Sequence, residues 1–284
     1  MKQILCFGEV LWDLLPSGKV LGGAPFNVAL RLHECQQKVV FCTAIGNDKL
    51  GDELLDFVEK SKVAQFVTRH AHLPTGVVQV ELKPDGSAAY TIEEPAAWDA
   101  IEGPTHWEGA LVFGSLALRQ AHNRETIDRL LETATEVYFD VNLRAPFYDF
   151  ERIKTYVQRA SLVKFNEEEF SWFSQENWGI SNEEEALDAF ELAYPGIELC
   201  VTKGAEGALY MRAGKRVVAS APKVTVSDTI GAGDAFFAAL IAGIRQQHGL
   251  QQSLENACAI GAHVASQKGA STALPEYLTL QFGD

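Results

Sequence analysis

Asp228-Thr229-Ile230-Gly231-Ala232-Gly233-Asp234 runs directly into the apolar helical pattern Ala235-Phe236-Phe237-Ala238-Ala239-Leu240-Ile241. A helix N-terminus offers unpaired backbone N–H groups and the positive end of the helix dipole, so it stabilises an anion such as a phosphoryl group. Gly231, Ala232 and Gly233 are therefore predicted to form an anion cradle, with Asp234 as a base that accepts a hydroxyl proton beside it. The alternative for this stretch alone is a capped helix with an acid in its first turn.

A second glycine-rich motif, Gly22-Gly23-Ala24-Pro25-Phe26-Asn27-Val28-Ala29, lies near the start of the chain. The two motifs resemble the N- and C-terminal signatures of the ribokinase-like (PfkB) carbohydrate kinases. The N-terminal motif, at residues 22–29, has the form most frequent in the fructokinase branch. They stand about two hundred residues apart, in the order that the family requires. The resemblance covers essentially the whole chain. It implies ATP-dependent phosphorylation of a primary hydroxyl of a neutral sugar, most often fructose, with Mg2+ as cofactor.

Composition limits the partners. The chain has 284 residues and a formal net charge of −14, so it lacks the basic surface that nucleic acid or an anionic membrane requires. Five scattered cysteines fit a reducing compartment better than a disulfide framework. The first residues carry no cleavable signal pattern, and no apolar run reaches membrane-spanning length. We therefore expect a cytoplasmic protein whose partners are a small-molecule sugar and ATP.

Short apolar runs alternate with segments of helical periodicity along the chain. The runs predict buried strands at 4–7, 39–44, 110–113, 137–141, 162–165 and 199–202, and the periodic segments predict helices at 25–35, 51–60, 124–134 and 183–193. This alternation predicts an α/β fold with a mostly parallel central sheet and helices on both faces, with ligands at the carboxyl ends of the strands. We expect a single kinase domain over residues 1–284.

Two segments break the alternation and predict a small extra sheet. Strand patterns at 78–82 and 88–92 flank Lys83-Pro84-Asp85-Gly86, and those at 10–15 and 19–21 flank Pro16-Ser17-Gly18. They could equally be hairpins at the sheet edge. The resemblance implies a lid over the sugar, with segments at about 10–22 and 75–97, which could also form a homodimer surface. A lid would exclude water that competes with the sugar for the phosphoryl group.

Polar residues follow three successive predicted strands. Asp140-Val141-Asn142-Leu143-Arg144 resembles the family's Asp-x-Asn-x-Arg element, and Asn166-Glu167-Glu168-Glu169 resembles its Asn-x-x-Glu motif. Asn142 and Arg144 are thereby implied to bind the sugar. Asn166 and Glu169 would lie on one side of a first helical turn, where Glu169 could order water around Mg2+. The dipole-favoured acid is the preferred interpretation for Glu167 and Glu168.

The resemblance also implies nucleotide and sugar contacts. Thr202-Lys203-Gly204-Ala205-Glu206-Gly207 resembles the family's Thr-x-Gly-x-x-Gly turn near the nucleotide phosphates, although a plain hairpin turn would look similar. Asp13, Asn27 and the backbone of Gly22 and Gly23 would bind sugar hydroxyls.

A K+ ion often binds beside the cradle in the family. The resemblance implies that Asp228 and the segment around Gly269-Ala270-Ser271 would hold it here. We expect at most moderate activation by this ion.

One departure bears on the substrate. Fructokinases and 2-keto-3-deoxygluconate kinases often carry a lid arginine, but the comparable stretch here contains Glu93 and Glu94, with Trp98 near the usual Asp. A sugar acid would meet like charge there, so a neutral sugar is favoured, although a family contact to fructose is missing. Ribokinase, other ketose or nucleoside kinases, and a catalytically silent sugar-sensing protein stay open. Dinucleotide-binding and Walker-type loops are absent from the sequence.

Overall fold

The structure is a computed structural model that describes residues 2–16, 18–82, 88–267, 269 and 272–282. The strands are β1 (Ile4–Phe7), β2 (Leu11–Leu15), β3 (Gly18–Gly22), β4 (Val39–Gly46), β5 (Ala64–His70), β6 (Val77–Leu82), β7 (Ala88–Ile92), β8 (Ala110–Gly114), β9 (Glu136–Asp140), β10 (Leu162–Asn166), β11 (Glu198–Thr202), β12 (Ala208–Arg212) and β13 (Lys215–Ala219). The α-helices are α1 (Ala24–Glu34), α2 (Lys49–Lys60), α3 (Ala121–Leu131), α4 (Phe150–Val157), α5 (Glu167–Trp178), α6 (Glu183–Ala193), α7 (Ala232–Arg245), α8 (Leu250–Ala265) and α9 (Glu276–Thr279).

The large sheet has the order β13-β12-β11-β10-β9-β8-β1-β4-β5. All its pairings from β11 to β5 are parallel, and the edge strands β12 and β13 pair antiparallel. This arrangement confirms the predicted mostly parallel α/β sheet. The six predicted strands and four predicted helices all occur, with ends shifted by up to three residues.

Two apolar cores cover the two faces of this sheet. Helices α1, α7 and α8 pack on one face, and α3 to α6 pack on the other. Because both faces are covered, β1 and the first four residues of β8 are buried throughout, which explains why they read as unbroken apolar runs in the sequence. The parallel strands therefore deliver their carboxyl ends to one edge, where the loops between strand and helix meet.

The second sheet has four strands in the order β3-β2-β6-β7. β2 pairs antiparallel with β3, β6 pairs antiparallel with β7, and β2 runs parallel to β6. The two predicted hairpins therefore join into the predicted small sheet. The turn predicted at Lys83 to Gly86, and Ser17 in the other turn, lie outside the described residues.

Candidate functional site

The cradle forms at the start of α7. Gly231 adopts φ 77°, a left-handed conformation that glycine reaches without strain, and it ends the loop that enters the helix. The N–H of Ala232 donates to the carbonyl of Thr229 at 3.2 Å. Within the described part of the chain, no acceptor pairs with the N–H groups of Gly231, Gly233 or Asp234. Of the four N–H groups from Gly231 to Asp234, three thus have no acceptor in the described chain, because the turn before the helix uses that of Ala232.

Asp234 lies buried in the first turn of α7, one residue after the exposed Gly233. Its Oδ2 accepts a hydrogen bond from Asn27 Nδ2 at 2.8 Å, so the two glycine motifs meet although they are 207 residues apart. Burial raises the pKa of Asp234 to about 6, and the carboxylate of Asp140 adds to this effect. Asn27, Lys164 and Arg144 act in the opposite direction. The carboxyl group is therefore a stronger base than an exposed aspartate and is still ionised at neutral pH.

A buried ion pair lies beneath the cradle. Lys164 Nζ donates to Asp140 Oδ1 at 2.8 Å, and the two residues are register partners on β10 and β9. A Cβ placed on Gly233 would lie 3.7 Å from Lys164 Nζ, so the ammonium group sits directly against the cradle. Burial favours the neutral amine, but Asp140, Glu169 and Asp234 outweigh it and raise the pKa of Lys164. A fixed positive charge therefore faces the anion cradle from below.

Acids gather around the exposed Arg144. Its charge lowers the pKa values of Glu9, Asp13 and Asp234, although burial dominates at each of these carboxyl groups. The net result is a pKa raised to about 7 for Glu9 and to about 6 for Asp13. A Cβ at Gly22 would lie 2.5 Å from Asp13 Oδ2, so a larger residue there would displace this carboxylate. Several acceptors and one arginine thus share a small region, as recognition of sugar hydroxyls requires.

Asn166 and Glu169 form a capping box at the start of α5. Asn166 Oδ1 accepts from the Glu169 N–H, and Glu169 Oε2 accepts from the Asn166 N–H, each at 2.8 Å. Glu169 Oε1 accepts from the Leu143 N–H at 2.8 Å. Because each carboxylate oxygen already accepts one backbone hydrogen bond, its remaining lone pairs suit the waters of a metal ion better than the ion itself. The donor set fits a water-mediated Mg2+. Glu167 and Glu168 are exposed in the first turn.

The turn from Thr202 to Gly207 joins β11 to β12. Gly207 has φ 111°, and a Cβ there would lie 1.9 Å from the carbonyl oxygen of Ala219, so the close approach of the chain requires glycine. Gly204 is exposed with φ 54°, and Thr202 is half-buried at the end of β11. The turn lies at the same edge of the sheet as Asn166, which is the register partner of Thr202.

Asp228 connects the loop before the cradle to the end of α8. Its Oδ1 accepts from the Ile230 N–H at 3.0 Å, and its Oδ2 accepts from the Gly269 N–H at 3.2 Å. The predicted partners Ala270 and Ser271 lie outside the described residues. The structure thus brings Asp228 and Gly269 together beside the cradle, and the K+ site stays a prediction.

A sequence profile described as the pfkB family carbohydrate kinase matches residues 4–277. The chain belongs to the pfkB family. It is 31% identical to a fructokinase of Rhizobium leguminosarum bv. trifolii over 87% of this chain and 81% of the relative. It is 29% identical to the aminoimidazole riboside kinase of Salmonella typhimurium over 97% and 92% of the two chains. The protein is therefore a carbohydrate kinase, and both sugar and nucleoside kinases are among its relatives.

The fold agrees with solved structures of pfkB kinases. The fructokinase of Vibrio cholerae O395, in its fructose-, ADP- and calcium-bound form, superposes with a TM-score of 0.84 at 27% identity, with 99% of each chain covered. A double mutant of the same enzyme, bound to fructose, ADP and potassium, gives a TM-score of 0.85 at 26% identity over 99% and 98% of the chains. These relatives bind a sugar, a nucleotide and metal ions. In the described part of this pfkB chain, no helix is long and apolar enough to cross a membrane.

The pfkB chain carries a second buried ion pair at the base of the small sheet. Arg119 donates from Nε to Asp99 Oδ1 at 2.6 Å and from Nη2 to Asp99 Oδ2 at 2.8 Å and to the Glu93 carbonyl at 3.0 Å. Its guanidinium lies 3.8 Å from the Trp98 ring centroid. Glu93 and Glu94 are exposed, and among the described residues neither side chain forms a hydrogen bond or an ion pair with a predicted site residue. Arg119, after β8, thus lies at the base of the small sheet with its charge paired to Asp99.

The structure adds three charged residues that sequence reasoning did not predict as site residues. Glu9, Lys164 and Arg119 each lie in a segment that looked like a strand or a loop. A signal existed for Lys164, because a charge inside the apolar run 162–165 needs a buried partner. Its partner Asp140 was visible only as part of a motif.

Proposed function

We propose that this pfkB kinase transfers the γ-phosphoryl group of ATP to a primary hydroxyl of a neutral sugar, and that the sugar is fructose. The main observation in support of phosphoryl transfer is the buried carboxylate of Asp234, which lies beside three N–H groups that have no acceptor in the described chain. Fructose is supported by the fructokinase relatives, one of which binds fructose and ADP.

In this proposal Asp234 accepts the proton of the attacking hydroxyl. The N–H groups of Gly231, Gly233 and Asp234 receive the phosphoryl oxygens, where negative charge develops during transfer. Asn27 fixes the carboxylate through its bond to Oδ2, which leaves Oδ1 for the hydroxyl. Lys164 adds positive charge from beneath, so the cradle needs no reorganisation when the phosphoryl group arrives.

The nucleotide and its metal ion belong on the adjoining strand ends. Thr202, Gly204 and Gly207 would lie along the ATP phosphates, and Asn166 and Glu169 would hold Mg2+ through water. When bound, Mg2+ neutralises phosphate charge and orients the phosphates.

The sugar end would use the acids around Arg144. Asp13 would accept from two sugar hydroxyls, and the Gly22 and Gly23 backbone allows the sugar to approach closely. Asn142 and Arg144 would complete the polar contacts from the end of β9. Asn27 would act on the sugar mainly through Asp234, since its amide nitrogen is already engaged there.

The small sheet would act as the lid of a single kinase domain and as a homodimer surface. Val20 on β3 and Tyr90 on β7 are 37% and 63% exposed, which supports apolar contacts on the outer strands. Sedimentation velocity tests this, because a dimer through the lid predicts that Tyr90→Glu gives a monomer. A wild-type chain that sediments as a monomer at micromolar concentration contradicts it.

An ADP-release assay across substrate classes tests the function. We expect turnover to be highest with fructose and lower with ribose, with nucleosides and with 2-keto-3-deoxygluconate. Highest turnover with a nucleoside would favour the second candidate, a nucleoside kinase, which the aminoimidazole riboside kinase relative supports. Absence of ADP release with every acceptor, despite ATP binding, would favour a silent sugar sensor.

Potassium is tested in the same assay. We propose that K+ binds beside Asp228 through loop carbonyls and activates turnover moderately. Equal rates in K+-free and K+-containing buffer of the same ionic strength would contradict this site.

A further inference from the structure

A small pocket lies at the carboxyl ends of β1, β8 and β9, behind the cluster of acids. Its volume, as space open to the centre of a water molecule, is about 10 Å³. Apolar side chains such as Pro25 and Val28 form part of its wall, while Glu9 and Asp140 bring carboxyl groups to it. A space of this size holds about one water molecule.

Two carboxylate oxygens at this pocket have no partner. Glu9 Oε2 and Asp140 Oδ2 are both fully buried, and no donor of the described chain lies within hydrogen-bonding distance of either. The residues are 4% and 5% exposed. Buried polar atoms are rarely left unpaired, because each forfeits its hydrogen bonds to water on folding. When both carboxyl groups are ionised, both oxygens therefore require a donor that the described chain does not supply.

The charges around the pocket favour a neutral donor over a cation. Lys164 already pairs with Asp140 through Oδ1, at 2.8 Å. Burial raises the pKa of Glu9 to about 7. Among the charged groups near Glu9, Arg144 and Arg119 lower this pKa and Asp234 raises it. Positive charge from Arg144, Arg119 and Lys164 is thus already present near these acids. Water has two O–H donors, one for each oxygen.

We propose that Glu9 and Asp140 share one buried water molecule, and that Glu9 is through it a positioning residue for phosphoryl transfer. The water would connect Glu9 to Asp140, which holds Lys164 against the cradle at Gly233. Glu9 then fixes the orientation of the Asp140 carboxylate, and hence the position of the ammonium group that acts on Asp234. The kinetic part of this inference rests on the proposed function, whereas the water itself does not.

A crystal structure of the full chain at high resolution tests the water directly. We expect one density peak at about 2.6–3.0 Å from both Glu9 Oε2 and Asp140 Oδ2. Absence of a peak, or a metal-like peak with contacts near 2.4 Å, overturns the water site. This result does not depend on which sugar the enzyme phosphorylates.

Two substitutions test the positioning role. Glu9→Gln keeps an oxygen that accepts from the water, so kcat should stay within about threefold of wild type. Glu9→Leu removes the acceptor and should lower kcat by about tenfold with sugar KM nearly unchanged, since one charge-assisted hydrogen bond is worth about that factor. Glu198→Leu, at the opposite edge of the sheet, controls for the general effect of replacing a partly buried acid and should leave kcat unchanged.

The outcomes separate the alternatives. A rise in sugar KM at unchanged kcat would make Glu9 a sugar ligand and overturn the proposal. Equal losses of kcat in the Gln and Leu variants would also overturn it, because the water-binding oxygen would then be irrelevant. If no acceptor tested is phosphorylated by the wild type, the proposed function fails while the density peak still decides the water site.

Discussion

The molecule contains two buried ion pairs that look alike in burial but differ in surroundings. Asp99 and Arg119 are joined by two direct hydrogen bonds, Arg119 donates a third to the Glu93 carbonyl, and the Trp98 ring stacks on the guanidinium. Arg119 Nη1 alone has no partner in the described chain. Lys164 makes one hydrogen bond to Asp140 Oδ1, and Asp140 Oδ2 has no partner in the described chain. The first pair can serve to fix chain segments. The second can act on a ligand, because Lys164 lies directly against the cradle at Gly233.

The largest expected effect tests the base that the second pair serves. Asp234→Asn should lower kcat by about a hundredfold or more while nucleotide binding is nearly unchanged, because general-base help is lost and the amide keeps the shape of the side chain. Steady-state kinetics and nucleotide titration measure both quantities. Turnover above a tenth of the wild-type rate would remove Asp234 from this role.

Replacing each pair by apolar residues separates their functions. Lys164→Met with Asp140→Leu should lower kcat by about tenfold or more, since the cradle loses its fixed cation. Arg119→Met with Asp99→Leu should keep kcat within about twofold and raise the sugar KM, because the base of the lid loses its anchor. Equal losses of kcat in the two double variants would show that the pairs do not differ in function.

Stability provides the control for that experiment. Either single variant, Lys164→Met or Arg119→Met, leaves a buried carboxylate unpaired and should lower the free energy of unfolding by about 3–5 kcal/mol. The double variants should recover most of this loss. Urea unfolding of the two single and two double variants measures the free energy of unfolding. A double variant that is less stable than the corresponding single variant would contradict the view that each pair is an independent unit.

Because of the acids near the second pair, activity and stability should change in opposite directions as pH rises. The pKa of Asp234 is raised to about 6, so kcat should fall as pH drops below about 6 and the base becomes protonated. The pKa of Glu9 is raised to about 7 and that of Asp13 to about 6. A carboxyl group with a raised folded pKa contributes stability that is present below its unfolded pKa and is lost as pH rises through the folded value.

We therefore expect the free apoprotein to melt at a higher temperature at pH 5.5 than at pH 8. Asp234→Asn should raise the free energy of unfolding at pH 8 by about 1–3 kcal/mol, the scale of the burial cost of this carboxylate. Differential scanning calorimetry across this range measures both. A wild-type melting temperature that climbs steadily from pH 5.5 to 8 would contradict the raised pKa values.

The smallest expected effect concerns the lid acids near the first pair. Neutral ketohexose should be preferred over 2-keto-3-deoxygluconate, and Glu93→Arg should change the ratio of the two kcat/KM values by less than about threefold. Exposed charges are screened by solvent and salt, and the Glu93 side chain is exposed. A decrease of more than about threefold in the ratio of the two kcat/KM values would place Glu93 at the sugar. A wild-type preference for 2-keto-3-deoxygluconate would overturn the proposal that the substrate is a neutral sugar.

The difference between the two pairs also marks what the sequence could predict. The cradle at 231–234 and the strand β1 depend on residues adjacent in the chain, so local pattern was sufficient. Arg119 and Asp99 come from two separate loops, and no periodicity links them. Arg119 also donates to the carbonyl of Glu93, which lies 26 positions earlier in the chain. Contacts of this kind depend on how the loops pack against each other, and local sequence patterns do not predict that packing.

Lys164 illustrates an intermediate case. Its strand was predicted, and so was the motif that contains Asp140, yet their pairing needed the register of β9 against β10. Once two parallel strands are known to be neighbours, a lysine in one and an aspartate at the end of the other become an obvious pair. The roles predicted for individual site residues stay predictions until variants are measured.

The helix that carries Asp234 has a consequence for how the enzyme loses its activity. Every residue of α7 from Asp234 to Gly243 is buried, and a Cβ on Gly261 of α8 would lie only 3.2 Å from the Ala232 carbonyl oxygen, so the two helices are in close contact. Amide protons in α7 should therefore exchange with solvent only when the whole core opens. Strand β13 at the sheet edge, where only Ala219 is buried, can fray without disturbing the base. Heat inactivation should consequently coincide with global unfolding rather than precede it.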